Sequence, residues 1–315
     1  LKVIFYWVLY PLIRPFYLIS VILNTFVLGS IIIAISPFDR NGNVVHYIGK
    51  FWSLLNIYLS GTRLTIKGTE RIKKGHTYIV MSNHQSLVDP WVLIGKLPLQ
   101  LRWTIKSEVK KMPIFGYALE RMGHMYVGYK RRRQKDLILQ EALKKLKKGS
   151  SVAILPEGTR SEDGHLQRFH KGGAIIAIRS GVPILPVTIN GSRYVLPKGT
   201  LALMPGKIEL IVGESIDSGM FGENGKNKLI AVVKSAIQQN LDLKIWCFCK
   251  KFLANSLRTH RKRQMRRHIL DNPISYYAIF LSVRYLPIRL CHWLGKLVAL
   301  IVYSFSRQDR EWPCI

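Results

Sequence analysis

Two short segments hold the residues whose types and spacing suit them to chemistry. The first is Asn83-His84-Gln85-Ser86-Leu87-Val88-Asp89, directly after an apolar run, Thr77–Met81, that reads as a buried strand. His84 and Asp89 can form a general base: the carboxylate holds one ring N–H, sets the tautomer and leaves the other nitrogen basic. On one continuous helix a separation of five residues is about 500°, which puts the two side chains on poorly matched faces. They meet only if a turn intervenes. Ser86 and Asp89 have the spacing of a capping pair, and Pro90 suits an early helical position. The segment therefore predicts a strand, a turn carrying His84 and a helix starting near Ser86. A purely structural His–Asp pair has the same sequence signature, so this segment by itself leaves both readings open.

The second segment is Pro156-Glu157-Gly158-Thr159-Arg160-Ser161, again directly after a predicted strand, Ser151–Leu155. Gly158 permits a tight backbone, the hydroxyls are donors, and Arg160 is the side chain best suited to clamp a phosphate at two oxygens. An ordinary turn with a surface arginine is the plain alternative. Downstream, Phe169-His170-Lys171-Gly172-Gly173 adds a cation and flexible backbone before a helix, a second place for an anion. Other chemistries lack their motifs. There is no G-x-S-x-G elbow and no H-E-x-x-H, and Gly199–Lys207 has the wrong spacing for a phosphate-binding P-loop. The four cysteines, Cys247, Cys249, Cys291 and Cys314, lack the paired spacing of a zinc site and read as free thiols in a reducing compartment. No metal site is expected.

Strands and helices alternate around these segments. Pro90–Lys96 reads as a helix, Leu101–Lys106 as a strand, and Gln134–Lys148 as an amphipathic helix stopped by Gly149. Lys171–Ser180 reads as a helix and Ile184–Ile189 as a strand entered through Pro183. Leu201–Met204 and Ile208–Val212 look like a hairpin, and Lys226–Leu243 like a last amphipathic helix. The alternation predicts an α/β fold with a largely parallel sheet flanked by helices. In such sheets ligands sit beyond the carboxyl ends of the strands, where both segments fall.

Lys2 and Arg14 are the only charges before Asp39, and Pro15–Pro37 is nearly all apolar. That length is close to the roughly 20 residues a bilayer-crossing helix needs. A signal peptide would have a shorter apolar core and a small-residue cleavage site, which is not evident. A spanning helix and a helical pair lying in one leaflet, with Tyr6, Trp7, Tyr10, Phe16 and Tyr17 at headgroup depth, are both compatible with the pattern. The chain carries 48 Lys and Arg against 18 Asp and Glu, a formal charge of +30. Such an excess attracts an anionic partner, and the neighbouring apolar segments favour an anionic lipid surface over nucleic acid. Three regions are expected: a membrane anchor (1–45), a catalytic domain (46–245), and a basic linker with an apolar, membrane-surface extension (246–315). Within the last region, Arg258–Arg267 reads as a solvated juxtamembrane run.

Taken together, the segments resemble the glycerolipid acyltransferases typified by bacterial 1-acylglycerol-3-phosphate acyltransferase. That family carries N-H-x-x-x-x-D and, some 70 residues on, P-E-G-T-R-S. Between them it has a segment like Lys106–Gly116, then a glycine such as Gly123 with an arginine soon after, and later one like Val182–Val187. The four blocks appear here in order between His46 and Leu243. Where the family has its arginine this chain reads Tyr126-Val127-Gly128-Tyr129-Lys130-Arg131, so Lys130 or Arg131 takes that place.

The resemblance implies acyl transfer from acyl-CoA or acyl carrier protein to lysophosphatidic acid at the cytoplasmic face of a membrane, giving phosphatidic acid without an acyl-enzyme. His84 is then the base and Asp89 its partner. Lys106, Gly116, Lys130, Arg131, Glu157, Gly158, Thr159, Arg160 and Lys171 are expected at the substrate, with Glu157 more suited to tying the loop to the site than to meeting an anion. No cofactor beyond the thioester donor and no nucleic acid is expected. Pro183 and Pro186 read as structural, and His124, His165 and His170 as peripheral. Another acceptor, such as glycerol 3-phosphate or a different lysolipid, keeps the same chemistry. A non-catalytic, basic membrane- or nucleic-acid-binding protein is the alternative of a different class. Tyr285–Gly295 resembles the start of the lipid A lauroyl-type acyltransferases, against the plainer reading of an amphipathic surface segment.

Overall fold

The computed structural model describes residues 10–127, 132–199 and 203–243. Lys130, Arg131, the four cysteines and the expected extension 246–315 lie outside them.

The chain opens with two helices, α1 (Tyr10–Ile35) and α2 (Asn43–Leu59). The turn between them is built on Gly42 in the left-handed region, with the Asp39 carboxylate taking the Asn43 and Val45 N–H groups at 3.0 and 2.9 Å. The expected boundary at 45/46 falls inside α2. Then follow β1 (Arg63–Lys67), β2 (Ile79–Ser82), α3 (Asp89–Lys96), β3 (Leu101–Lys106), α4 (Phe115–Arg121) and β4 (Met125–Val127). The rest comprises α5 (Arg132–Lys147), β5 (Ser151–Ile154), α6 (Gly172–Ser180), β6 (Ile184–Asn190), α7 (Ser192–Val195), β7 (Lys207–Val212) and α8 (Lys226–Gln239).

The strands form one sheet in the order β1-β7-β6-β2-β5-β3-β4, with β6–β7 as its antiparallel junction and the other pairings parallel. The α/β expectation holds. β2 and β6 are buried at every residue, as central strands covered on both faces must be. On one face α2 and α3 pack Ile57, Val92 and Leu93 against Trp103, Leu185 and Ile208. On the other, α5, α6 and α8 pack Leu146, Ala177 and Val233 against Ile79, Val152 and Ile184.

The expected hairpin is corrected. Of the expected first strand, Leu201 and Ala202 lie outside the described residues and Leu203 and Met204 belong to no strand, while β7 pairs with β6 on one side and β1 on the other. Proximity in sequence suggested a local partner, whereas β7 takes up hydrogen-bonding groups offered by a strand more than a hundred residues earlier.

α1 packs against α2 and α4. Tyr17 Oη donates to Asn56 O at 3.0 Å, the Asn24 and Asn56 amides pair reciprocally at 2.9 and 3.2 Å, and Trp52 Nε1 donates to Thr25 Oγ1 at 2.9 Å. A side chain at Gly29 would meet Ile114 Cγ2 at 2.7 Å, so the absence of one lets α1 approach α4. The opposite face of α1 exposes Phe16, Leu23, Val27 and Ile31.

Candidate active site

β2, β5 and β3 are neighbours running in one direction, so the loops that follow them emerge side by side. The strand ladder does not stop at Ser82. The Asn83 amide continues it, donating to Ile189 O at 2.8 Å and accepting Ile189 N–H at 2.7 Å. The next residue, His84, is thereby turned out at the carboxyl edge of the sheet.

The chain then bends, and α3 begins at Asp89 rather than near Ser86. The turn brings the two side chains together: His84 Nδ1 lies 2.9 Å from Asp89 Oδ2. The same oxygen accepts the Gln85 and Ser86 N–H groups at 2.7 and 2.8 Å. These bonds, with a place in the first turn of α3, suit a carboxylate in the fully buried Asp89. They assign the Nδ1 proton to His84 and leave Nε2 as the basic nitrogen, without a hydrogen-bond partner among the described residues. The His84 side chain is 14% exposed and lines a cavity of about 1240 Å³. Ser86 Oγ donates to Leu196 O at 2.7 Å, fixing the outer end of the turn.

Both Glu157 carboxyl oxygens are taken up by backbone donors. Its Oε1 accepts the His84 backbone N–H at 2.7 Å and its Oε2 the Gln167 N–H at 2.9 Å. Ser161 N donates to His84 O at 2.8 Å, so both backbone groups of His84 are held by the segment after β5. Burial pushes the Glu157 carboxyl up to about 7, against the pull of the Gln167 and His84 N–H groups. Glu157 lines the cavity and makes the tie between the loops that its charge led us to expect. Gly158, in the left-handed region at φ 67°, makes the turn that lets Thr159 and Arg160 reach the cavity.

Of the residues expected at the substrate, Lys106, Glu157, Gly158, Thr159, Arg160 and Lys171 line the cavity, together with Arg168, Arg179 and Lys198. Arg160 is buried, whereas Lys171 is exposed at the start of α6. Gly116 is not among the residues that line the cavity. It lies buried in the first turn of α4, where a Cβ would come within 2.5 Å of the Val109 and Lys110 carbonyl oxygens, and its own carbonyl accepts Tyr126 Oη at 2.5 Å. His124 and His170, both expected to be peripheral, line the cavity. His124 is buried, its Nδ1 accepts the Trp103 N–H at 3.1 Å, and burial holds its pKa well below the ordinary value. The roles of Asn83 and Ser86 were missed; their polar side chains beside the His84 motif were the available signal.

Away from these cations the cavity is apolar. Val21, Leu28 and Ile32 of α1, Trp52 of α2, Trp91 of α3 and Ile105 of β3 contribute to its wall. One end therefore suits a charged group beside a base, and the remainder suits hydrocarbon.

The Acyltransferase family pattern matches residues 63–190. The chain is 31% identical to the 1-acyl-sn-glycerol-3-phosphate acyltransferase of Pseudomonas aeruginosa over 201 residues, 61% of this chain and 76% of that one. It is 30% identical to the chloroplastic enzyme of that name, LPAT1, from Arabidopsis thaliana over 214 residues, 67% of this chain. The match spans little more than half of the chloroplastic relatives, 58% in Arabidopsis thaliana and 54% in Brassica napus. Among solved structures, the 1-acyl-sn-glycerophosphate acyltransferase PlsC of Thermotoga maritima superposes with a TM-score of 0.62 at 29% identity, covering 72% of this chain and 94% of that one. With the histidine motif, the loop after β5 and the sheet that joins them, these similarities show that the chain belongs to the 1-acyl-sn-glycerol-3-phosphate acyltransferase family.

Proposed function

We propose that the protein transfers a fatty acyl group from acyl-CoA or acyl carrier protein to the free hydroxyl of 1-acylglycerol 3-phosphate, giving phosphatidic acid. The observation that carries this reading is His84, held at Nδ1 by a buried carboxylate and lining a cavity with both a cationic and an apolar part. Nε2 takes the hydroxyl proton as the acceptor oxygen attacks the thioester carbonyl. The tetrahedral intermediate collapses, the C–S bond breaks, and the imidazolium returns the proton to the leaving thiolate. Asp89 stabilises the charge on the ring meanwhile. General-base assistance of this kind contributes about 10²–10⁴ in rate.

The acceptor phosphate is met by Arg160, with Lys106 and Lys171 as further cations, and the donor acyl chain occupies the apolar part. α1 and α2 belong in one leaflet. One side of α1 is committed to α2, α4 and the cavity, while its outer stripe and Val44, Tyr47, Phe51 and Tyr58 of α2 present an apolar surface to the bilayer. The segment Ile13–Phe38 is long and apolar enough to cross a membrane, but crossing would require these protein contacts to be given up.

The test is to supply vesicles holding the protein with labelled lysophosphatidic acid and, in separate arms, acyl-CoA and acyl carrier protein thioesters. The expected result is phosphatidic acid from the parent and none above background from His84→Ala, with membrane association unchanged. A folded parent that makes no product from either donor would sink this acceptor assignment.

A further inference from the structure

Among the described residues Arg102 is the largest fully buried side chain, and no part of the proposed reaction uses it. Placing a guanidinium inside a protein costs several kcal/mol unless its donors are satisfied. Here acceptors for both Nη groups are drawn together from separate elements, while Nε is buried without a partner among the described residues. Nη2 donates to Asn41 O and Gly42 O at 3.1 Å and to Asn43 Oδ1 at 3.2 Å. Nη1 donates to Leu101 O at 3.0 Å and, at longer range, to Gln100 Oε1 and His46 Nδ1 at 3.4 Å. His46 Nε2 lies 3.1 Å from Leu99 O, so its proton sits there and Nδ1 is an acceptor for Arg102. Burial, then the neighbouring Arg102 charge, lower the His46 pKa to about 4, which keeps that acceptor neutral.

These bonds join the turn between α1 and α2 to the start of β3. Both helices form cavity wall, as does the later part of the strand. Lys106 marks the catalytic end of β3, and Arg102 lies four residues back, about 13 Å away along the strand. The cavity lining nearby comprises Ile32, Gly49, Met122 and His124. Their packing leaves little slack: a Cβ on Gly49 would lie 2.1 Å from Met122 Cε, and one on Gly42 3.1 Å from Met122 O. A change in the tilt of the helical pair would thus alter the end remote from His84 first.

We propose that Arg102 is a positioning residue that sets the depth of the acyl-chain cavity, by tying the α1–α2 turn to the sheet beside the cavity's far end. This rests on the acyltransferase reading above. Arg102 touches no substrate; it acts through the helices it holds. Loss of the tie loosens discrimination between acyl chains at the far end, while the His84–Asp89 pair at the sheet edge is left in place.

The experiment compares the parent, Arg102→Lys and Asn43→Ala, each as the full chain in vesicles, with thioester donors of stepped chain length. The readout is kcat/KM for the preferred donor over that for the next longer one, with folding checked by thermal melting. The lysine cannot span the same set of acceptors, and the alanine removes one of them. One methylene in an apolar site is worth about tenfold or more, so the ratio should fall about tenfold in Arg102→Lys and less in Asn43→Ala. An unchanged ratio, with all donors slowed alike, would show a merely structural role and overturn the proposal. If Arg102→Lys does not fold, Asn43→Ala decides on the same ratio. A folded parent inactive with every donor sinks the acyltransferase reading, and this proposal with it; a parent that discriminates sharply beside variants that do so equally sinks the Arg102 assignment alone.

Discussion

The backbone N–H of His84 donates to Glu157 Oε1 at 2.7 Å, across 73 residues of sequence. With Oε2 on Gln167 N–H, the Glu157 carboxylate joins two loops and holds the main chain that carries His84. A glutamine has one acceptor oxygen and would turn its NH₂ toward one of these N–H donors. Glu157→Gln is expected to lower kcat about tenfold or more with a smaller change in acceptor KM, as steady-state kinetics would reveal.

The same carboxyl makes stability depend on pH. Its folded pKa, about 7, is raised above the ordinary 4.5 by burial. Between those values the folded state binds the extra proton, so this contribution is full below about 4.5 and is lost as pH rises through about 7. The change is on the order of a few kcal/mol. Thermal melts should show the parent losing stability across this window relative to Glu157→Gln. Parallel curves would mean that the carboxyl is not perturbed in this direction.

Asp89→Asn probes the tautomer. The amide can present its oxygen to the Gln85 and Ser86 N–H groups or to His84 Nδ1–H, but it supplies no negative charge for the imidazolium. A fall in kcat of about 10²–10⁴ is expected, with the protein still folded and still on the membrane. Activity near that of the parent would mean that the pair has only a structural role.

Arg160→Lys keeps a charge at the cavity but loses the planar fork that meets two phosphate oxygens. Acceptor KM should rise about tenfold while donor KM stays close to that of the parent. The informative measurement is kinetics with each substrate varied in turn. A rise confined to the donor would move the acceptor phosphate elsewhere.

Replacing Phe16, Leu23 and Ile31 by serine removes apolar side chains from the outer face of α1 without touching its contacts to α2. Each is worth about 1.5–3 kcal/mol on full burial, so flotation with vesicles should show binding weakened well over tenfold. Unaltered binding would place the membrane contact on another surface.

Local order could be read from the chain because it is written locally. β3 runs over Leu101–Lys106 and β6 starts at Ile184, as their apolar runs and flanking breakers imply. α2 follows the polar break Asp39–Asn43, and its many β-branched and aromatic residues mask the helical period. β1, β4 and α4 are short, and β1 takes its place by pairing with β7, which local pattern cannot show.

The residue types at the site were likewise legible. That His84 and Asp89 could pair across a turn, and that Arg160 offers an anion a planar fork, could be read because side-chain chemistry and the need for a turn reside in the amino acids themselves. The tertiary structure decided which groups serve that chemistry from afar. The tie expected of Glu157 found its partners, the His84 and Gln167 N–H groups, only in the fold, and Gly116 makes room there for the Val109 and Lys110 carbonyls. The N-terminal helix became cavity wall as well as apolar surface, and Arg102 gathered acceptors from separate elements. Those roles depend on distances across the sheet and between helices, set by long-range strand pairing and core packing, whereas periodicity and motif spacing describe only neighbours along the chain.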